Sequence, residues 1–178
     1  MSSNININQS KCHTISVLVS NEVGVLSRIA DLFSGRGYNI ESLTVAPTAD
    51  SIYSRITIVT QGDDATIEQI CKQLNRLIPV IKVANLSMGE AIEYEIGLIK
   101  VFVNDENRAE FMNIVSQAGA NIMDVTDKTY TVKIDGDEKR VKTFSELVRP
   151  FGIKEFVRSG KVAITKGNWF SNFKKTKE

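Results

Sequence analysis

The chain has 178 residues, with 22 lysines and arginines against 21 aspartates and glutamates, and its formal net charge is +1 at pH 7. This balance provides no strong field for nucleic acid or a membrane surface, and no apolar run approaches the ~18 residues of a membrane span. Because there are only two cysteines and no secretory signal pattern, we interpret the chain as a cytoplasmic protein without disulfides.

The N-terminal residues are polar, and the first periodic pattern begins after them. Residues 1–12 are rich in serine and asparagine and are predicted to form a flexible leader. His13, the single histidine, is expected at the solvated start of the first strand. Alternating apolar residues then predict a strand with one buried face: Ile15, Val17 and Val19. Apolar residues at helical spacing follow and predict an amphipathic helix: Leu26, Ile29, Ala30 and Phe33.

The segment between this strand and this helix is the candidate binding site. The first amides of a helix have no partner within the helix, and the helix dipole is positive there, so a glycine-bearing loop at this point can bind an anion. The amides near Gly24, Val25 and Leu26, with the carboxamide of Asn39, suit a small zwitterion that carries an apolar side chain. An ordinary strand–helix loop that binds nothing is the alternative that spacing leaves open.

The remaining elements of the first half complete a β-α-β-β-α-β order. Strands are predicted at residues 38–45, 54–60 and 80–86, and a helix at residues 65–77. This order is typical of a ferredoxin-like unit, in which two helices cover one face of an antiparallel sheet. Cys71 falls on the apolar stripe of the second helix and is predicted to be a buried thiol.

The same order recurs after a linker at residues 87–90. Strands are predicted at residues 94–103, 121–126, 130–134 and 154–157, and helices near residues 111–118 and 141–148. Four residues reappear 82 positions later, namely Gly37, Asn39, Ile40 and Thr44 as Gly119, Asn121, Ile122 and Thr126. Gly62-Asp63 reappears 74 positions later as Gly136-Asp137, which predicts a shorter hairpin in the second half.

The fold class is therefore predicted to be α+β, with two tandem ferredoxin-like domains at residues 13–87 and 91–166 and a tail at residues 167–178. The second domain has a charged loop without glycine at Asn104–Arg108, so we expect it to be an interaction surface and not a second copy of the site. In the tail, three aromatic residues precede three lysines. Docking on a partner and packing against its own domain are both open for this tail.

The sequence provides no catalytic set, and we predict that the chain is not an enzyme. No serine–histidine–aspartate or cysteine–histidine arrangement can be assembled around one histidine. The acidic pairs at residues 63–64 and 137–138 fall at predicted helix starts, where the dipole explains them. Cys12 and His13 are too few for a metal site, and neither a dinucleotide fingerprint nor a phosphate loop is present. No catalytic residue, metal or cofactor is therefore assigned to this chain.

Several runs of residues resemble the small regulatory subunit of acetohydroxyacid synthase, also called acetolactate synthase. The runs in the first half are Gly24-Val25-Leu26-Ser27-Arg28 and Arg36-Gly37-Tyr38-Asn39-Ile40-Glu41-Ser42-Leu43-Thr44-Val45-Ala46-Pro47. Those in the second half are Asp124-Val125-Thr126 and Arg158-Ser159-Gly160. The resemblance covers about residues 13–167 and implies that the first domain is an ACT domain.

This resemblance implies that two ACT domains pair as a homodimer and bind valine, or another branched-chain amino acid, at their interface. It also implies a large catalytic subunit as partner, which holds thiamine diphosphate, flavin and magnesium and is activated and made feedback-sensitive by this chain in branched-chain amino acid biosynthesis. The alternative is a stand-alone amino-acid-binding module that acts on transcription or another enzyme. The effector-binding residues implied for one subunit are Asn21, Gly24, Val25 and Leu26, and those for the partner subunit are Asn39 and Ile40.

Overall fold

The computed structural model describes residues 11–88 and 91–166, so the predictions made for the leader and the tail fall almost entirely outside the described residues. The described residues divide into two compact units, residues 11–88 and 91–92 with 163–166, and residues 93–162. Each unit contains one antiparallel sheet, and the predicted α+β class with two ferredoxin-like units is confirmed.

The first unit has the predicted β-α-β-β-α-β order. Its strands are β1 (Lys11–Ser20), β2 (Ile40–Pro47), β3 (Tyr53–Gly62) and β4 (Val80–Asn85), and its helices are α1 (Val25–Ser34) and α2 (Asp64–Leu74). The sheet has the strand order β2-β3-β1-β4, so β1 and β3 are central and β2 is an edge strand. A short 3-10 helix at Leu86–Met88 follows β4.

The core of the first unit lies between the sheet and its two helices. The alternating residues Ile15, Val17 and Val19 are fully buried, as predicted. The helical residues that pack against them are Val25, Ile29 and Phe33 on α1, and Ile67, Ile70 and Leu74 on α2. The predicted stripe of α1 was wrong at Leu26, which is 44% exposed. The helix begins at Val25, and its buried face consists of Val25, Ile29 and Phe33, which are spaced by four residues and leave Leu26 outside that face.

The second unit repeats this architecture. The elements of this second sheet and its helices are β5 (Ala91–Phe102), α3 (Arg108–Ala118), β6 (Asn121–Val125), β7 (Thr129–Gly136), α4 (Glu138–Val148), β8 (Ile153–Arg158) and β9 (Val162–Thr165), although residues 91–92 and 163–165 are grouped with the first unit. The strand order β6-β7-β5-β8 is that of the first sheet, with β9 pairing with β5 in addition. The sequence patterns did not predict β9, which has only four residues.

The repeat extends to irregularities of strand pairing. The register shifts between Leu18 and Val19 where β1 meets β4, and 82 residues later between Lys100 and Val101 where β5 meets β8. A second shift, after Ile40 in β2, recurs after Ile122 in β6. The hairpin of the second unit is shorter, as predicted, since residues 126–128 replace the longer connection at 48–52.

Aspartates begin the second helix of each unit. An Oδ1 atom of Asp63 accepts a hydrogen bond from Thr66 N at 2.8 Å, and Asp137 accepts one from Arg140 N at 2.7 Å. The hydrogen bond from Thr66 holds the pKa of Asp63 below its usual value. Both side chains are therefore helix caps, which agrees with the structural interpretation of the acidic pairs.

Two predictions about titratable residues need correction. His13 is 3% exposed and not solvated, because β1 begins two residues earlier and pairs with β3 as far as Gly62. Cys71 was predicted to be a buried thiol, and it packs against the core but is only half-buried. Burial nevertheless raises the pKa of the Cys71 thiol to about 11.

Candidate functional site

The entrance of α1 exposes backbone amides without a side-chain cap. Gly24 is the N-cap residue, with φ of 87°, a left-handed conformation that favours glycine. Its carbonyl oxygen accepts the first helical hydrogen bond, from Arg28 N at 3.1 Å. No side chain of the described residues caps the helix, and no acidic residue lies in its first turn. The amides that follow Gly24 are thus available to an anion.

Asn21 holds the loop in position. Its backbone N–H donates to the carbonyl oxygen of Ile52 at 2.8 Å, and its Nδ2 donates to the carbonyl oxygen of Ser51 at 2.9 Å. Both acceptors belong to the connection between β2 and β3. The loop before α1 is therefore attached to that connection through the backbone and the carboxamide nitrogen of Asn21.

The apolar residues at this entrance have different surroundings. The side chain of Val25 lies in the core, so only its amide can serve the site. Leu26 is partly exposed, and Val23 is 99% exposed, which makes both available for contact with an apolar ligand. Arg28 and Glu22 form an exposed ion pair across the loop at 3.6 Å. Sequence reasoning missed Val23, although an apolar residue within a polar turn could have indicated it.

Asn39 and Ile40 lie at the other end of the sheet. Ile40 is opposite Thr60, and Thr60 is opposite His13 near the start of β1. Gly24 instead follows the other end of β1, whose last residue, Ser20, is seven residues or about 20 Å of strand beyond His13. One chain therefore brings together Asn21, Gly24, Val25 and Leu26 but not Asn39 and Ile40.

The carboxamide of Asn39 is oriented by local hydrogen bonds. Its Nδ2 donates to Oε1 of Glu41 at 2.7 Å, while the backbone carbonyl oxygen of Asn39 accepts from Oγ1 of Thr60 at 2.6 Å. Because Nδ2 of Asn39 donates to the carboxylate of Glu41, Oδ1 of Asn39 remains available as a hydrogen-bond acceptor. An ammonium group is a suitable partner for that oxygen.

The corresponding loop of the second unit is closed by its own side chains. Oδ1 of Asn107 accepts from Asn104 N at 2.8 Å, and Oδ1 of Asn104 accepts from Asn107 N at 3.0 Å. Asp105 pairs with Arg108 at 2.8 Å. The charged residues expected from the sequence are present. This loop precedes the first helix of its unit, as the loop with Gly24 does, but its side chains have a different chemical character.

The described residues contain no group of three or more histidine, cysteine, aspartate or glutamate side chains that could hold a metal ion. Within residues 11–88 and 91–166, no helix combines the length and apolar character needed to cross a membrane.

Comparison with known proteins identifies both halves. The family model described as "AHAS small subunit-like ACT domain" matches residues 15–82, and the one described as "Small subunit of acetolactate synthase" matches residues 94–167. A probable acetolactate synthase small subunit of Archaeoglobus fulgidus is 47% identical over 156 residues, which cover 88% of this chain and 98% of the relative. The acetolactate synthase small subunit of Aquifex aeolicus is 46% identical, over 88% of this chain and 82% of the relative.

A solved structure resembles the whole described fold. The crystal structure of the acetolactate synthase small subunit from Thermotoga maritima has a TM-score of 0.81 and 37% sequence identity, and the match covers 89% of this chain and 99% of that one. The likeness includes both units, so it extends beyond the ACT domain.

Proposed function

Because this chain belongs to the family of acetolactate synthase small subunits, we propose that it binds a catalytic synthase subunit, raises its activity and makes it sensitive to inhibition by valine. The chain itself performs no chemistry in this proposal; thiamine-diphosphate-dependent catalysis belongs to the partner. The observation that supports effector binding is the uncapped entrance of α1 at Gly24.

The effector site is proposed to form between two copies of the chain. The carboxylate of valine accepts hydrogen bonds from the amides of Val25 and Leu26, beside the positive end of the α1 dipole. The ammonium group donates to Oδ1 of Asn39 from the second copy, with Ile40 of that copy and Leu26 against the aliphatic side chain. The separation of Asn39 from Gly24 within one chain is consistent with this division of roles.

The position of β2 supports a side-by-side dimer. β2 is an edge strand, and a two-fold axis would pair it in antiparallel fashion with β2 of a second copy. Antiparallel pairing brings the start of one β2, at Asn39, to the end of the other, at Pro47. That end leads into the connection that Asn21 binds. The pairing would therefore bring Asn39 of one copy towards the α1 entrance of the other.

Regulation follows from linkage between effector and partner binding. An effector that stabilises one arrangement of the paired domains changes the activity of a bound enzyme only if that enzyme prefers another arrangement. The coupling expected for such an effector is about 1–3 kcal/mol. Valine, leucine and isoleucine differ by a methylene or a branch point. The difference in their binding free energies would therefore be about 1–3 kcal/mol.

Reconstitution with a catalytic subunit tests the proposal. The full chain is added to the purified catalytic subunit of an acetolactate synthase from the same source, and activity is measured with and without valine. We expect activity to rise with the amount of chain added and to fall as valine is titrated. A chain that neither co-sediments with the catalytic subunit nor changes its activity would instead support a stand-alone amino-acid-binding module.

A further inference from the structure

The two units differ in what fills the space between their helices. In the first unit, the ring of Tyr38 packs edge-on against Phe33, with 6.1 Å between the ring centroids. The hydroxyl of Tyr38 donates to Oε1 of Gln69 on α2 at 3.3 Å. Tyr38 thus connects the end of α1 to α2 and occupies the space between them.

The second unit lacks both aromatic rings at the corresponding positions. With the offset of 82 residues, Val115 replaces Phe33 and Ala120 replaces Tyr38; with the offset of 74, Thr143 replaces Gln69. A cleft of 830 Å³ lies between the end of α3 and α4, along which its lining extends from Lys139 to Leu147. Its lining includes Thr143 and Gly119, the residue before Ala120. The cleft therefore opens where the first unit holds a tyrosine ring.

The lining of this cleft combines apolar side chains with cations. Ile114, Phe144 and Leu147 provide the apolar surface, while Lys139 and Arg140 are the two cationic residues. Nη2 of Arg140 donates to the carbonyl oxygen of Ala118 at 2.8 Å, which fixes the guanidinium at the end of α3.

One carboxylate, that of Asp137, is among the described lining residues and offsets one of these two positive charges. Asp137 serves as the helix cap, because it accepts a hydrogen bond from Arg140 N. The side chain of Lys139 is exposed, and among the described residues it forms no ion pair, since Glu138 beside it pairs with Lys161. The cleft therefore has a net positive charge beside an apolar surface, which favours an apolar ligand bearing one negative group.

The geometry points to a binding site, between α3 and α4 of the second domain, for a small carboxylate with an aromatic body. The ring occupies the space that Tyr38 fills in the first domain, and the carboxylate lies beside Lys139 and Arg140. This site is distinct from the proposed effector site and does not need a second copy of the chain.

Binding of 4-hydroxyphenylacetate to the full chain tests the site, with methyl NMR of Ile114 and Leu147 as the readout. We expect saturable shifts at both methyl groups and weaker binding of the neutral 4-hydroxyphenylacetamide. Lys139→Glu should weaken binding of the carboxylate about two- to fivefold and leave the amide unchanged, since exposed charge pairs contribute modestly. Lys142→Glu, on the same helix but outside the cleft, is the matched control and should leave both affinities unchanged.

A second variant fills the cleft from within. Ala120→Tyr combined with Thr143→Gln transfers the tyrosine–glutamine pair of the first domain and should abolish binding while circular dichroism remains native.

Undisturbed probe binding in this folded variant would overturn the inference, as would the absence of methyl shifts at millimolar probe. Loss of probe binding in Gly24→Asp would assign the probe to the effector site, which overturns this inference and leaves the proposed function standing. Shifts seen only when a catalytic subunit is added would equally overturn it, since they indicate a side chain from another protein in the cleft.

Discussion

The guanidinium of Arg158 lies against the carboxylate of Glu95, with Nη2 2.7 Å from Oε2, and the Glu95 side chain is 2% exposed. The next residue, Ser159, accepts a hydrogen bond from Ile96 N at 3.0 Å and donates its own N–H to the carbonyl oxygen of Ile96 at 2.9 Å. Gly160 then turns with φ of 78°. The run Arg158-Ser159-Gly160 therefore fastens the segment after β8 to β5.

We expect Arg158→Ala to lower the free energy of unfolding by about 3 kcal/mol, because it leaves a buried carboxylate without its partner. Urea unfolding measures this change. Glu155→Ala removes an exposed ion pair with Lys100 on the same sheet and should cost less than about 1 kcal/mol. Equal losses in the two variants would contradict the buried role of Glu95.

Gly24→Asp should weaken valine binding about tenfold or more, because a fixed carboxylate would repel that of the ligand at the α1 entrance. Space is available, since a Cβ at Gly24 would meet nothing within 4 Å. Gly24→Asn is the matched control, because asparagine has the same shape without the charge and tolerates a left-handed conformation. Calorimetric titration with valine should therefore separate the two variants. Equal affinities would exclude a carboxylate site at this loop.

Mixed dimers test whether two copies share one effector site. Gly24→Asp and Asn39→Ala should each weaken valine binding at both sites of the dimer when prepared alone, since each alters one half of every site. In a mixed dimer, one of the sites combines the native Gly24 loop with the native Asn39 and should bind. Co-refolded protein that binds no more valine than the separate variants would contradict the shared site.

The stability of the chain should fall as pH rises from 9 to 11 because of Cys71. Burial raises the pKa of its thiol from 9.0 in an exposed setting to about 11. The protonated thiol is therefore favoured in the folded state, and this contribution is complete below pH 9 and is lost as pH passes through the folded value. Urea unfolding at a series of alkaline pH values should show a smaller decline for Cys71→Ala. Cys12→Ala, at an exposed position, should keep the decline of the native chain.

His13→Leu should raise the free energy of unfolding by about 1 kcal/mol, because neither ring nitrogen of His13 has a hydrogen-bond partner among the described residues. Thr60→Val, at the opposite position on β3, should lower it by about 1 kcal/mol, since it deprives the Asn39 carbonyl of its donor. Thermal unfolding of both variants measures the difference. A loss of stability in His13→Leu would show that the imidazole has a partner of its own.

Periodicity predicted the elements that carry a full buried face. Ile15, Val17 and Val19 have the spacing of a strand, and the structure buries all three. The pattern could not show that Thr14 and Ser16, on the other face, are buried as well. Period-2 alternation identifies the side that packs on the helices, but polar residues give no indication of what covers the second side.

Helix and strand limits were harder to predict because they depend on a few backbone angles. The start of α1 at Val25 follows from the left-handed Gly24, which the sequence alone does not reveal, and this decides that Leu26 is exposed. His13 was misjudged because strand pairing continues beyond the apolar residues. The candidate residues on the α1 loop are adjacent in the chain and were predicted together with Asn39 from the residues themselves, whereas the assignment of Asn39 and Ile40 to a second subunit required the resemblance to known proteins.

The matching register shifts of the two sheets have a consequence for mutational work. Shifts at the same points produce similar local twist, so each pair of helices packs on a comparable surface. Ile29 and Phe111 occupy equivalent buried positions with different volumes. Exchanging these two side chains and measuring the free energy of unfolding compares the packing of the two cores within one polypeptide. Each half of the chain then serves as the reference for the other.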